Sequence, residues 1–388
     1  MDPGNWSTDI AGGSAYGYDL LFIILLASLI AIFLQALAVR QGIATERDLA
    51  QACRDSYPKP VVAVLWLIIE AAIVATDLAE VIGSAVALKL LFGLPLIGGV
   101  CITALDVLII LFTHGKNFRI LEGIVAALVI LITVAFAVQI GLSKPQTKEL
   151  FAGFLPSAGI FTDNNELLIA IGIIGATVMP HNLFLHSSLV LTRNIDRSSV
   201  DTVNEAIKYF VFDSTFCLAC ALFVNAAILI VAAATFHVNG LTDVATLEDA
   251  HSLLAPILGS GASVLFAVAL LAAGQNSTLT GTLAGQIVME GFMTWKIRPV
   301  FRRLFTRLLA IIPAVVVVAI GGDHSANDLL IISQVILSIA LPFAIFPLVH
   351  ITADKTKMGP YVNSRFITIF AYAIAFLVLI LDIYLFIP

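Results

Sequence analysis

Long runs of apolar residues recur along the whole chain and constrain its fold more than any other feature of the sequence. Such runs cover residues 18–39, 61–88, 95–113, 120–142, 207–236, 256–290, 304–320, 329–350 and 366–387. Crossing a bilayer takes about 20 mostly apolar residues, so these runs have the length of membrane spans. The strands of a membrane barrel would be shorter and would alternate between apolar and polar residues. The pattern therefore predicts an all-α polytopic membrane protein.

Two further segments are atypical spans. A polar stretch from Asp2 to Asn5 opens a short run, and the run at 165–192 is interrupted by Met179-Pro180-His181. With both, the predicted number of spans is eleven.

Charged residues make up 12% of the chain, about half the share in soluble domains, and hydrophobic residues make up 60%. This composition excludes an ordinary cytosolic enzyme, a disordered chain and a basic nucleic-acid binder, and no nucleotide-binding loop occurs in the sequence.

The distribution of basic residues tests the number of spans. Lys and Arg concentrate in the cytoplasmic connections of membrane proteins. Seventeen of the 20 basic residues fall in the connections after spans 2, 4, 6, 8 and 10. The connection after span 8 contributes five of these residues, namely Lys296, Arg298, Arg302, Arg303 and Arg307. We therefore expect a multi-pass protein of the cell membrane, in a bacterium the plasma membrane, with a cytoplasmic N-terminus and an extracellular C-terminus.

Two helix breaks lie in corresponding positions of the chain. Pro3 and Pro180 are 177 residues apart and five spans separate them. Because five is odd, the second half must be inverted relative to the first. Broken spans at corresponding positions of two inverted halves indicate the central binding site of a transporter. We predict one domain, 1–388, with a first repeat at 1–142, an inverted repeat at 164–350 and an eleventh helix at 364–388.

The side chains beside the two breaks are metal ligands of mixed character. Asp2 offers a carboxylate, Asn5 an amide oxygen, the Pro180 break frees a carbonyl near Ala176, and Met179 offers a thioether. Oxygen alone suits Mg²⁺ and Ca²⁺, whereas sulfur favours transition metals. The alternative is two ordinary proline kinks with a methionine that only fills space. The mixed donor set favours a site for Mn²⁺, Fe²⁺ and similar ions.

Asp2-Pro3-Gly4-Asn5, Met179-Pro180-His181 and the eleven-span layout resemble the NRAMP family of divalent metal transporters over essentially the whole chain. The resemblance implies a LeuT-type (APC superfamily) fold with helices 1 and 6 broken, and proton-coupled import of Mn²⁺ and Fe²⁺. It implies that Asp2, Asn5, Met179 and the carbonyl of Ala176 bind the metal, joined by Gln334 in some states. Co²⁺, Ni²⁺, Cd²⁺ and Zn²⁺ are further possible cargoes. No cofactor, nucleotide, nucleic acid or obligate protein partner is expected beyond metal, protons and lipid.

One departure from the family concerns the first helix. The family has a half-helix before Asp-Pro-Gly-Asn, whereas this sequence begins one residue before Asp2. We expect that a segment is missing here, and that the protein is inward-facing with a weakened but surviving metal site.

The third span carries Glu70, Asp77 and Glu80 at spacings that place all three on one helical face. Ionisable groups within spans are candidates for function. Like charges on one face cannot all stay ionised cheaply, so this pattern is typical of a proton path. The alternatives are a wet vestibule or structural pairing with Arg302 and Arg303. The family resemblance supports the proton role for these acids and arginines.

His181 and His186 follow the second break and titrate near neutral pH, so each is a candidate proton relay or a structural hydrogen-bonding group. The rival function is another APC-fold symporter, for a small organic cation or an amino acid. Such carriers hold a substrate carboxylate with free backbone amides, whereas Asp2 would repel a carboxylate and attract a cation.

Overall fold

The structure is a computed structural model that describes residues 2–105, 118–157, 159–244, 246–322 and 324–385. These residues form sixteen α-helices, numbered here in chain order. The first eight are α1 (Pro3–Tyr16), α2 (Leu21–Thr45), α3 (Leu49–Ser56), α4 (Lys59–Phe92), α5 (Leu96–Thr103), α6 (Phe118–Ser143), α7 (Thr147–Ala152) and α8 (Asn164–Val178). The others are α9 (Pro180–Leu189), α10 (Val200–Thr235), α11 (Leu247–Leu258), α12 (Ser260–Met293), α13 (Pro299–Gly321), α14 (His324–Ala353), α15 (Lys355–Met358) and α16 (Arg365–Tyr384).

Within these ranges nine segments are long and apolar enough to cross a membrane, and the chain is a multi-pass helical membrane protein. Each of them coincides with one of the eleven predicted spans. The other two predictions have different outcomes. The first span is the 14-residue helix α1, and the span at 95–113 lies partly outside the described residues, where only α5 is seen.

Local sequence signals explain where several helices begin. Asp163 caps α8 by accepting hydrogen bonds from the backbone N–H groups of Asn165 and Glu166. Ser199 caps α10 in the same way, through the N–H of Thr202. Pro180 is the first residue of α9, where the absence of an N–H costs nothing.

The short helix α1 is the centre of the bundle. It packs against α10, α8, α14 and α4, and twelve of its residues are buried. The approach of α4 to α1 depends on Gly83, because a Cβ there would overlap the ring of Pro3. Close packing of this kind places the two helix breaks side by side, with α4 and α14 as neighbouring walls.

The connection before α13 corrects one expectation. The sequence predicts a cytoplasmic connection that contains Arg302, Arg303 and Arg307, but all three lie within α13 and are at most 5% exposed. The helix begins five residues earlier than the apolar run suggests, because acidic partners on α4 compensate the arginine charges. These three residues therefore do not bear on the orientation of the protein in the membrane. The remaining basic residues, fourteen in the predicted cytoplasmic connections against three in the others, still favour the predicted orientation.

Candidate metal site

The second helix break is centred on Met179, which joins α8 to α9. Its backbone lies at φ 42° and ψ 101°, outside the regions that a residue with a side chain normally adopts. The N–H of Met179 still reaches the carbonyl of Gly175. The next helical donor would be residue 180, and a proline has no N–H. The carbonyl of Ala176 therefore loses its helical partner and is available to a ligand.

The first break is organised by two reciprocal hydrogen bonds between Asp2 and Asn5. The N–H of Asn5 donates to Oδ1 of Asp2 at 3.0 Å, and the N–H of Asp2 donates to Oδ1 of Asn5 at 3.2 Å. This is a capping box at the start of α1. It fixes both side chains while Oδ2 of Asp2, fully buried, has no hydrogen-bond partner in the described structure. A buried carboxylate oxygen without a partner is costly unless a ligand satisfies it.

The two breaks open onto one small cavity of about 60 Å³. Three of the predicted metal-binding residues, Asn5, Ala176 and Met179, line it. Asp2 does not line this cavity but is hydrogen-bonded to Asn5, which does. The structure thus brings an amide oxygen, a carbonyl and a thioether to one space, next to a carboxylate.

Gln334 of α14 reaches the first break from the opposite side. Its side chain lies so close to Gly4 that a Cβ at Gly4 would overlap the amide group. The Nε2 of Gln334 donates to the hydroxyl of Ser333 at 2.9 Å, and its buried Oε1 has no hydrogen-bond partner in the described structure. Gln334 therefore brings a buried amide against Gly4, between Asp2 and Asn5 in the chain. Its role as a metal ligand stays a prediction.

This donor set has the chemistry of a site for a soft or borderline dication. Within the described ranges, no group of three or more His, Cys, Asp and Glu residues could hold a metal ion. One carboxylate, neutral oxygens and one sulfur could bind a dication without cancelling its charge.

Several polar residues of the cavity escaped the sequence analysis. Asn182 donates from Nδ2 to Sδ of Met179 at 3.3 Å, which orients the thioether. Thr177, Ser28, Gln35 and Asn225 also line the cavity. Asn225 could have been identified from the sequence, because a lone amide side chain in the middle of an apolar span is uncommon.

The charged network beside the metal site joins α4 to α13. Arg302 donates to both carboxylate oxygens of Glu70, at 2.8 and 3.0 Å. Arg303 forms ion pairs with Asp77 and, at 2.9 Å, with Glu80. The three acids lie on one face as predicted, and the pairing with Arg302 and Arg303 that was left open as an alternative is present.

Four donors converge on Glu80, the innermost acid. They are the hydroxyls of Ser277 and Thr278, each at 3.0 Å, Arg303 at 2.9 Å and Arg307 at 3.5 Å. The sequence analysis missed Arg307 because it was counted as a loop residue. Helix α12 passes close to this cluster at Gly281 and Gly285, since a Cβ at Gly285 would overlap the guanidinium of Arg302.

The two histidines lie on different faces of α9, because residues five apart on a helix are separated by about 140° around its axis. His181 is buried, and its Nδ1 has no hydrogen-bond partner within the described ranges. His186 lines a separate cavity of about 200 Å³ with Asp213 and Arg193. The structure does not place His186 beside the metal cavity.

Comparison with known proteins shows the family of the chain. Residues 1–388 match the family model described as Natural resistance-associated macrophage protein-like, or Nramp. The chain belongs to the Nramp family. It is 55% identical over 386 residues to the divalent metal cation transporter MntH of Listeria welshimeri, a match that covers 99% of this chain and 86% of that protein.

Solved structures confirm the predicted fold class. The manganese transporter of Eremococcus coleocola, solved with an aromatic bis-isothiourea compound, matches with a TM-score of 0.91 and 40% identity, covering 98% of this chain and 82% of that one. MhsT in complex with L-phenylalanine matches with a TM-score of 0.60 over 100% of this chain and 98% of that one. At 13% identity MhsT shares the fold alone, and that fold is the LeuT-type. The curated Nramp relatives are named as transporters, not enzymes.

Proposed function

We propose that this Nramp protein is a secondary transporter that imports divalent transition metal ions, with Mn²⁺ and Fe²⁺ as its main cargoes, coupled to proton symport. The observation that carries the proposal is the convergence of oxygen and sulfur donors at two adjacent helix breaks. The relatives named above as a divalent metal cation transporter and a manganese transporter support it.

The proposed metal ligands are Asp2, Asn5, the carbonyl of Ala176, Met179 and, in part of the cycle, Gln334. Asp2 supplies the only full negative charge at the break, and its free Oδ2 is the strongest attraction for a dication. The thioether of Met179 makes the site selective, since Ca²⁺ and Mg²⁺ gain little from sulfur and lose an oxygen ligand there.

Alternating access follows from the break itself. The segments on either side of Met179 are separate helices joined at a strained residue, so they can tilt independently. Met179 packs against Ala75 of α4 and Leu337 of α14, so movement of either half-helix changes these contacts. The site would then open alternately to the two sides of the membrane.

The proposed proton path leads through the network of α4 and α13. Ala75, which contacts Met179, lies two residues before Asp77, so the metal cavity and the acids share one helix. His181, Asp77 and Glu80 carry the proton inward, toward Glu70. Glu70 lies at the partly exposed end of the acidic row, nearer the cytoplasmic connection that precedes α4. Arg302 and Arg303 compensate the acids when they are ionised. His186 remains a weaker candidate, reached only through its separate cavity.

Uptake into proteoliposomes tests the function as a whole. Purified protein is reconstituted into vesicles that contain a fluorescent Mn²⁺ indicator, and uptake is recorded with Ca²⁺ in large excess outside. We expect Mn²⁺ uptake that persists in Ca²⁺ and that acidifies the vesicle interior. The absence of uptake by protein that binds Mn²⁺ would contradict transport, and uptake without acidification would contradict coupling.

A further inference from the structure

A groove separate from the metal site lies on the surface where α2, α10 and α16 meet. Its volume is about 830 Å³. The floor is apolar and includes Phe33 and Ile367, while the rim carries charges of both signs. The charged residues of the rim are Arg40, Asp201, Glu205 and Lys208.

The length of α10 places the groove at the level of the lipid head groups. Helix α10 has 36 residues, about 54 Å at 1.5 Å per residue, whereas the hydrocarbon core is about 30 Å thick. Its first turns therefore project beyond the hydrocarbon, and Asp201, Glu205 and Lys208 lie on them. Tyr209 follows at once and is 67% exposed, as an aromatic residue at the membrane interface is.

The floor of the groove continues into a surface that faces lipid tails. Phe366 and Phe212 are 78% and 72% exposed, and the ring of Phe33 packs edge-on against that of Phe370 with centroids 5.0 Å apart. Large exposed aromatic side chains on a membrane helix are solvated by acyl chains. An acyl chain that enters from this surface would reach the apolar floor.

The rim carries two basic residues, Arg40 and Lys208, and two acidic residues, Asp201 and Glu205. Glu205 and Lys208 are three residues apart on α10, so their Cβ atoms lie about 5–6 Å from each other. Neither they nor Asp201 form an ion pair within the described ranges. Across the groove Arg40 is held by bonds of 3.3 Å from its guanidinium to Asn363 Oδ1 and to the carbonyl of Val362. Two of its five N–H donors are used in this way.

We propose that this groove binds a zwitterionic phospholipid with a primary ammonium group, phosphatidylethanolamine. The phosphate lies between Arg40 and Lys208, the ammonium donates to Glu205 and Asp201, and one acyl chain lies on Phe33 and Ile367. The two-carbon spacer of ethanolamine matches the short distance between the opposite charges of α10. A quaternary choline group has no N–H to donate to the carboxylates, and an anionic glycerol head group would meet Asp201 and Glu205 unfavourably.

Native mass spectrometry of the delipidated, detergent-solubilised full chain tests this site. The protein is incubated in turn with dioleoyl phosphatidylethanolamine, phosphatidylcholine and phosphatidylglycerol, and the lipid retained per protein is counted. We expect phosphatidylethanolamine to be retained most. Lys208→Gln should lower its retention about fivefold, the effect of one basic residue at a membrane surface.

Substitution of an acidic residue of the rim distinguishes this proposal from a non-specific attraction between lipid phosphate and the basic residues. Glu205→Gln should lower the retention of phosphatidylethanolamine and raise that of phosphatidylglycerol. Lys148→Gln and Glu149→Gln on α7, both exposed and away from the groove, are the matched controls and should change neither. Equal retention of all three lipids, preference for phosphatidylglycerol, or insensitivity to both groove substitutions would overturn the proposal. The groove substitutions leave the metal site intact. Unchanged Mn²⁺ binding by these variants therefore shows that they are folded.

Discussion

The side chain of Gln334 occupies the space where a Cβ of Gly4 would be. The glycine of the first helix break thus lets an amide side chain of α14 approach the backbone between Asp2 and Asn5. Any residue with a side chain at position 4 would push Gln334 out of this position.

Gly4→Ala should weaken Mn²⁺ binding about tenfold, because overpacking of a tight site costs about 1–3 kcal/mol. Calorimetric titration of the purified protein measures the change in Kd. Gly141→Ala in α6 is the matched control, since a Cβ there meets no atom within 4 Å. An unchanged Kd in Gly4→Ala would mean that Gln334 takes no part in binding.

Met179→Ala should keep Mn²⁺ transport and let Ca²⁺ compete better, because the site loses the sulfur that disfavours alkaline-earth ions. Inhibition of Mn²⁺ uptake by increasing Ca²⁺ measures this selectivity. Met289→Ala is a suitable control, because Met289 is as buried as Met179, each at 5% exposure, but does not line the cavity. If Ca²⁺ competes equally well with both variants and the parent, the thioether is not the selectivity element.

Asn182→Leu tests whether the thioether must be oriented. The variant keeps the branched shape of the side chain, with larger terminal groups, and removes the 3.3 Å bond to Sδ of Met179. Residues that orient a metal ligand typically contribute about 10–100-fold in affinity, so we expect about a tenfold weaker Mn²⁺ Kd. Asn194→Leu, in an exposed connection, should leave the Kd unchanged. Equal affinities of the two variants would refute a role for Asn182.

Glu80→Gln should separate metal movement from proton movement. Glutamine can accept one of the two hydroxyl hydrogen bonds, from Ser277 or Thr278, and can donate from Nε2 to the other hydroxyl oxygen. It cannot take up a proton, so Mn²⁺ binding should persist while Mn²⁺-driven acidification falls to background. Arg197→Gln, at an exposed pair with Glu46, is the control. Full acidification by Glu80→Gln would exclude this residue from the proton path.

Asp48 gives the fold a pH dependence outside the membrane spans. Burial raises the pKa of this carboxyl to about 6 in the connection between α2 and α4, against an ordinary 3.8. The folded protein therefore holds a proton that the unfolded chain releases, and stability falls as pH rises from about 4 to about 6. The effect is at most about 3 kcal/mol. Asp48→Asn keeps a capping side chain at α3, and its thermal unfolding should be less sensitive to pH over this window; equal sensitivity would contradict the assignment.

The two helix breaks and the polar groups beside them can be predicted from the sequence because they are encoded locally. Proline interrupts a helix wherever it occurs, and the neighbouring residues supply the ligands, so Asp2, Asn5, Ala176 and Met179 are found without tertiary information. The contact of Gln334 with Gly4 required the family resemblance, because the two residues are 330 positions apart.

The remaining features depend on packing that no local pattern reports. Arg307 looks like a flanking basic residue, and only the approach of α4 shows that it reaches Glu80. Helical geometry alone predicts that His181 and His186 lie on different faces of α9. The packing of the neighbouring helices decides which of these faces is near the metal cavity. Asn182 is identified only once the position of the Met179 sulfur is known.

The most direct test of the central claim is calorimetric titration of Mn²⁺ into the purified protein with Ca²⁺ in large excess, compared with Asp2→Asn. Asparagine preserves the cap of α1 but removes the only full charge at the break. We predict that the parent protein binds Mn²⁺ despite the Ca²⁺ and that Asp2→Asn does not bind. Loss of Mn²⁺ binding to excess Ca²⁺, or retained binding by Asp2→Asn, would contradict a transition-metal site at these two helix breaks.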